Sequence, residues 1–427
     1  MTAQRDSAFE MATSRIRFGA GTTREVGWDL AELGVRRVFA VVDPAVARLA
    51  PAQVLRESLA AAGVEAVWFE RVRVEPSEAS FHEAIAAARD AACDGFVALG
   101  GGSTIDTAKV ANLYSTYPAD FLTYVNAPLG AARPIPGPLR PLIAIPTTAG
   151  TGSETTGVAI CDLKERKIKT GIAHRLLKPT LGILDPENTR SAPPEVAAST
   201  GLDVLCHALE SYTALPFDQR PWPERPSLRP NYQGANPISD VWVEKSLRMV
   251  AQYLQRAVAD PSDDEARENM LLAAAYAGIG FGNAGVHLCH ALSYPIASLV
   301  RDYHAPGYPD DHPLVPHGIS VVLTAPAVFR FTAPANPARH LAAAEILGVD
   351  TTGVEPAEAG DLLADWLSQF FQPLGVPNGL EAVGYQVADV GELAQGAWQQ
   401  QRLTKLSPRP VGEAELAALA TQSLRLW

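Results

Sequence analysis

Asp203 and His207 stand four residues apart in GLDVLCHALESYTA (201–214), a stretch whose apolar residues recur with helical spacing. Side chains so spaced project from one face of a helix, and a carboxylate beside an imidazole is half of a divalent-metal site. Two later stretches, GVHLCHALSYP (285–295) and VPHG (315–318), offer His290 and His317 to complete it. The first also holds His287, and His287, His290 and Tyr294 share one broad helical face, so spacing alone leaves the choice of histidine open. One hard carboxylate with three imidazoles suits Fe(II), Zn(II), Mn(II) or Co(II). Cys206 and Cys289 adjoin these residues in sequence but point about a quarter turn away, and read as packing residues.

A second set of residues has the chemistry of a dinucleotide site. FVALGGGSTIDTAK (96–109) reads as strand, glycine turn and helix, with Gly101 and Gly102 allowing close backbone approach and Ser103 placed to cap the helix. Free amides at such a helix start suit a pyrophosphate, and Asp106, one turn in, can bond a ligand amide or hydroxyl. The pattern is GGGSxxD rather than the usual GxGxxG. Asp43 ends another apolar run, where a carboxylate accepts bonds from an adenosine ribose and repels a 2′-phosphate. PTTAGTGSE (146–154) follows a further strand and brings Thr147, Thr148, Thr151 and Ser153, small hydroxyl residues able to wrap a phosphate or ribose. Lys169, after a charged hairpin-like turn, is expected to reach the same ligand. A dinucleotide is the cofactor these features imply.

The elements that must position both sets divide the chain. Apolar runs at 36–43, 64–70, 95–100 and 142–146 alternate with helical patterns near 45–62 and 81–92, which implies βαβ units and a parallel sheet. From SAPPEV (191–196) onward Ala/Leu helical periodicity takes over. The expectation is a Rossmann-like α/β domain over 1–192, a parallel sheet flanked by helices, and an all-α domain over 193–427 that holds the metal. One irregular, proline-rich stretch, 215–237, carries Arg220, Arg225 and Arg229; a loop of this kind can lay an arginine over an anionic substrate.

Composition sets the outer limits. The chain has 427 residues, 47% hydrophobic and 19% charged, which describes a globular protein with a large core. Its net charge of −12 argues against nucleic acid or an anionic membrane as partner. Four cysteines without CxxC spacing read as reduced thiols, and the opening MTAQRDSAFE lacks the apolar core of a signal peptide, so a cytoplasmic protein is expected. A homodimer or higher homo-oligomer is the default assembly.

GGGSTIDTAK, PTTAGTGSETT, GLDVLCHALE, HALSYP and PHG, in this order, resemble the iron-containing (group III) alcohol dehydrogenases, whose fold is shared with dehydroquinate synthase-like proteins. The resemblance runs over nearly the whole chain. It implies that Asp203, His207, His290 and His317 are the metal ligands, Fe2+ first and Zn2+ second, and that the glycine turn, Asp43 and the PTTAGTGSE loop hold NAD. RPNYQGANPISD, AGIGFGNAGVHLCHALSYPIA and DHPLVPHGISVVLTAPAVF are similar to the family's hydroxyacid-oxoacid transhydrogenase branch. That branch implies oxidation of 4-hydroxybutyrate to succinate semialdehyde coupled to reduction of 2-oxoglutarate to 2-hydroxyglutarate, through metal-assisted hydride transfer on NAD that stays bound. The alternative is a metal-containing alcohol dehydrogenase acting on a small alcohol or hydroxy acid with free NAD. Many members of the family carry a second histidine where this chain has Tyr294, which leaves His287 or Tyr294 to relay the proton. Small carboxylate substrates need a cation, and Arg229 in RPNYQG is the expected one.

Overall fold

The computed structural model of the chain describes residues 5–427. It divides into two compact units: Thr13–Ala192, and Pro193–Trp427 together with the stretch that ends at Ala12.

The α/β unit contains strands β1 (Arg15–Phe18), β2 (Arg37–Val42), β3 (Glu65–Phe69), β4 (Gly95–Gly100), β5 (Leu142–Pro146), β6 (Val158–Leu163), β7 (Ile168–Ala173) and β8 (Leu181–Leu184). Six of them form a parallel sheet in the order β1-β8-β5-β4-β2-β3. The central strands RVFAVV, GFVALG and LIAIP are almost wholly buried, as expected of a parallel sheet covered on both faces. Helices α1 (Val26–Glu32), α2 (Ala50–Ala61), α3 (Glu78–Ala91) and α4 (Gly102–Thr116) cover it.

Strands β2 to β5 and helices α2 and α3 occupy the stretches expected from the sequence. The antiparallel pair β6–β7 departs from the parallel reading; a short charged turn joins it, with Lys167 in the left-handed region at φ 51°. Strands β1 and β8, four residues each, are too short to declare themselves by periodicity.

The other unit is helical, with no strand beyond isolated bridges among the described residues. Its leading helices are α5 (Pro194–Thr213), α6 (Pro237–Ala259), α7 (Asp264–Ala284), α8 (Leu288–Ser298) and α9 (His317–Val322). Their starts are written locally. Pro194 opens α5, where a missing N–H costs nothing; the Asn236 side chain caps α6 at Ser239; Asp263 caps α7 at Ala266. Between α7 and α8 the chain bends by 103° at Gly285, whose φ is 98° and whose added Cβ would stand 2.4 Å from Leu406. No single helix among the described residues is long and apolar enough to cross a membrane; α7 and α8 pass that test only as this bent pair, and they are core.

The expected boundary at 1–192 needs one correction, because the stretch before Thr13 belongs with the helices. Buried Asp6 receives both Arg220 and Arg229, and the Glu10 and Ala12 amides donate to Gln233 and Asn283.

Candidate metal centre

Asp203, His207 and Glu210 lie at i, i+4 and i+7 of α5, so all three project from one face of that helix. Opposite them, α8 brings His290, and His317 is the first residue of α9. Asp203 Oδ1 stands 3.4 Å from His290 Nε2, 3.6 Å from His207 Nε2 and 3.8 Å from His317 Nε2. One ligand atom from each of the four residues falls within 4.8 Å of every other.

The set fits a divalent cation. Four donors about 2.1 Å from one ion in a tetrahedron would lie roughly 3.4 Å apart, close to the separations seen. Asp203 Oδ1 and His290 Nε2 are buried and meet no hydrogen-bond partner among the described residues, a costly state that a cation between them relieves. Asp203, His207 and His290 are each under 5% exposed, while the His317 side chain is 24% exposed and leaves that corner open. Burial tends to raise the Asp203 pKa, but His207, His317 and His290 outweigh it and hold the carboxyl well below the usual range. Burial pushes His207 down to about 4.

Glu210, which sequence reasoning passed over, orders this arrangement. Its Oε1 accepts the backbone amides of His287 (3.1 Å) and Cys289 (2.7 Å), so it caps the start of α8 from the neighbouring helix. Its Oε2 pairs with His290 Nδ1. That bond sets the ring so that Nε2 faces Asp203, where a bound cation would take the place of its proton. Burial opposes a charged His290, but Glu210 and Asp203 together push its pKa up to about 9. The signal was present in the sequence, since Glu210 is the final residue of GLDVLCHALE, one face-repeat beyond the two ligands.

His287, the expected relay residue, lies outside the four-residue cluster and reaches it through Glu210. It is fully buried, with Nε2 3.1 Å from Thr213 Oγ1 and Nδ1 3.2 Å from Glu210, so it backs the carboxylate that orients His290. Tyr294 sits one turn beyond His290 and accepts from Arg402 Nη2 at 2.7 Å. Arg229 is also corrected: its Nε and Nη2 fork onto Asp6 at 3.0 and 2.9 Å, and Arg220 shares the same carboxylate. The exposed Arg225 points to no carboxylate pairing among the described residues. Cys206 and Cys289 are buried free thiols, as expected of packing residues.

In the α/β unit the proposed cofactor residues gather where β2, β4 and β5 end. The Asp43 amide donates to Leu99 and the Thr147 amide to Gly100, so the three strand ends are tied together. No side chain caps α4, whose first residues are Gly102 and Ser103. Space there is limited: a Cβ on Gly101 would meet Thr148 Oγ1 at 3.3 Å, and one on Gly102 would meet Thr151 Cγ2 at 2.5 Å. These open amides beside small hydroxyl residues fit a pyrophosphate. The Asp43 carboxylate accepts from the Ala45 amide, and burial raises its pKa.

Five of the expected cofactor contacts already hold bonds within the protein. Asp106 accepts from Ser153 Oγ (2.6 Å) and the Ile160 amide (2.8 Å), and Ser153 accepts from Lys109 Nζ (2.6 Å). Lys109, fully buried and also bonded to the Val158 carbonyl, thereby locks α4 to the PTTAGTGSE loop. Lys169 is buried against Glu75, because a buried ammonium needs a counter-charge nearby. The Ser103 hydroxyl accepts from the Glu75 amide at 3.2 Å, and Thr151 Oγ1 from the Ser153 amide.

The model for iron-containing alcohol dehydrogenases matches residues 13–186, and the model for the C-terminal domain of that family matches 231–424. The chain is 57% identical over 424 residues to a mitochondrial hydroxyacid-oxoacid transhydrogenase of Bos taurus, covering 99% of this chain and 91% of that protein. It is 56% identical to the protein of the same name from Pongo abelii, over the same shares. The solved sulfoacetaldehyde reductase of Bifidobacterium kashiwanohense, in complex with NAD+, is similar at a TM-score of 0.80 and 25% identity, over 98% of this chain and 99% of that one. These names correct one expectation: the curated relatives are mitochondrial, which overturns the cytoplasmic assignment. A metal-dependent, NAD-using oxidoreductase, the chain belongs to the iron-containing alcohol dehydrogenase family.

Proposed function

We propose that the chain is a hydroxyacid-oxoacid transhydrogenase that oxidises 4-hydroxybutyrate to succinate semialdehyde and reduces 2-oxoglutarate to 2-hydroxyglutarate, with NAD retained between the two halves and Fe2+ as its metal. The observation that carries this reading is the 57% identity to a relative of that name along 99% of the chain, with all four candidate ligands drawn together. The reaction balances without an outside oxidant. The first acid gives up a hydride from its carbinol carbon and a proton from its hydroxyl; the second takes up both at its keto carbon and oxygen.

Asp203, His207, His290 and His317 would hold the metal, and the Gly101–Ser103 turn with Thr147 and Thr148 would hold the dinucleotide. A divalent ion in that set supplies Lewis acidity, which lowers the pKa of an alcohol and polarises a carbonyl. The protein's own part is orientation. Glu210 fixes the His290 ring and its tautomer while capping α8, so the ligand and the helix that carries it are held by one carboxylate. The buried His207 and His290, with Phe281 stacked on His207 at 3.9 Å between ring centres, shield that side of the cluster from water.

The test is incubation of purified, dialysed enzyme with both acids and no added NAD. The reading expects many turnovers per enzyme. Product formation that stops unless NAD is supplied in stoichiometric amounts would favour an ordinary dehydrogenase.

A further inference from the structure

We propose that Arg402, held between Tyr232 and Tyr294, binds the carboxylate of the substrate; the assignment rests on the hydroxy-acid reading above. Arg402 lies on the short helix Gln401–Thr404. Its Nη2 donates to the Tyr294 hydroxyl at 2.7 Å, and its guanidinium lies over the Tyr232 ring at 5.3 Å. Its Nη1 is buried and meets no hydrogen-bond acceptor within bonding geometry among the described residues. No aspartate or glutamate among the described residues pairs with it.

Three other arginines of this unit that are partly or wholly withdrawn from solvent are each paired with a carboxylate. Arg229 forks onto Asp6, Arg220 donates Nη2 to the same carboxylate, and Arg339 forks onto Asp240. A guanidinium withdrawn from water without a counter-anion is costly, and the cost is relieved when a carboxylate arrives with matching geometry. The two tyrosines supply packing and orientation but no negative charge, which leaves the anion to the ligand.

Two independent routes join Arg402 to the metal cluster. Tyr294 follows His290 by four residues on the same face of α8, about 6 Å along the axis. Tyr232 packs edge-on against Phe281 at 6.5 Å, and Phe281 stacks on His207. A short acid whose carboxylate sits at Arg402 therefore extends its reacting carbon along α8 toward His290. The same anchor serves both half-reactions, because both substrates carry a carboxylate a few carbons from the reacting centre.

The experiment measures binding of glutarate, a dicarboxylate that cannot react, to the metal-loaded enzyme by calorimetry, and compares kcat/KM on 4-hydroxybutyrate with that on the uncharged 1,4-butanediol. R402L should weaken glutarate by about 100-fold and lower the acid-to-diol ratio by a similar factor. R402K, which keeps the charge but loses the fork, should fall between the two, and carries the test if R402L does not fold. Unchanged glutarate affinity in either variant, equal losses on acid and diol, or failure of the wild-type enzyme to bind glutarate would overturn the assignment. Glutarate bound through Arg402 by an enzyme that performs no transhydrogenation would instead sink the proposed reaction and leave the carboxylate site standing.

Discussion

Glu210 touches the metal site only through His290, yet it joins three donors that would otherwise be unpaired in the core. Glu210→Gln can accept the two amides with one oxygen but presents an N–H where His290 Nδ1–H needs an acceptor. The ring then loses its fixed tautomer, and metal affinity should fall about 10- to 100-fold, read as metal content after dialysis against graded chelator. Retention of metal equal to the wild type would show that His290 is oriented by something else. Asp203 and His207 were legible because i, i+4 spacing is a local property. His290 over His287 was legible only through family resemblance; the physical distinction is that His287 is turned to Thr213 and Glu210, a contact across more than seventy residues. Arg402 was invisible for the same reason, since its partner Tyr294 is 108 residues away.

The glycine turn between β4 and α4 was readable as an element, and so was its loop partner, but not the buried side chains that lock them together. Lys109, Asp106 and Ser153 spend their polar groups on one another, so residues that resemble ligand contacts in sequence are in fact fixing the cradle. Gly102→Ala should force Thr151 away from its place, cost about 1–3 kcal/mol in urea denaturation and weaken NAD binding. Unaltered NAD affinity would remove the turn from the cofactor site. Glu154, in the same loop, gives a pH signature. Burial pushes its pKa from the ordinary 4.5 up to about 7, so the folded state holds the proton more tightly than the unfolded chain. Its stabilising contribution is full below about pH 4.5 and is lost as pH rises through 7, amounting to about 3 kcal/mol across that window. Glu154→Gln should flatten that part of the stability profile; parallel profiles for variant and wild type would contradict it.

At the scale of the whole chain, the two-part architecture was legible from the change in periodicity near residue 192, whereas the destination of the first residues was not. Asp6 recruits Arg220 and Arg229 across more than 210 residues, and no local pattern announces such a pair. Arg229→Ala should therefore lower the melting temperature and leave the Michaelis constants for both acids unchanged. A raised constant without thermal loss would return Arg229 to the substrate pocket. The account as a whole is tested most directly by following one hydrogen. Enzyme stripped of free NAD is given 4-hydroxybutyrate carrying deuterium at its carbinol carbon, together with unlabelled 2-oxoglutarate. The label should appear at carbon 2 of 2-hydroxyglutarate over many turnovers. Label that passes instead into added NADH, with no 2-hydroxyglutarate formed in its absence, would contradict the account.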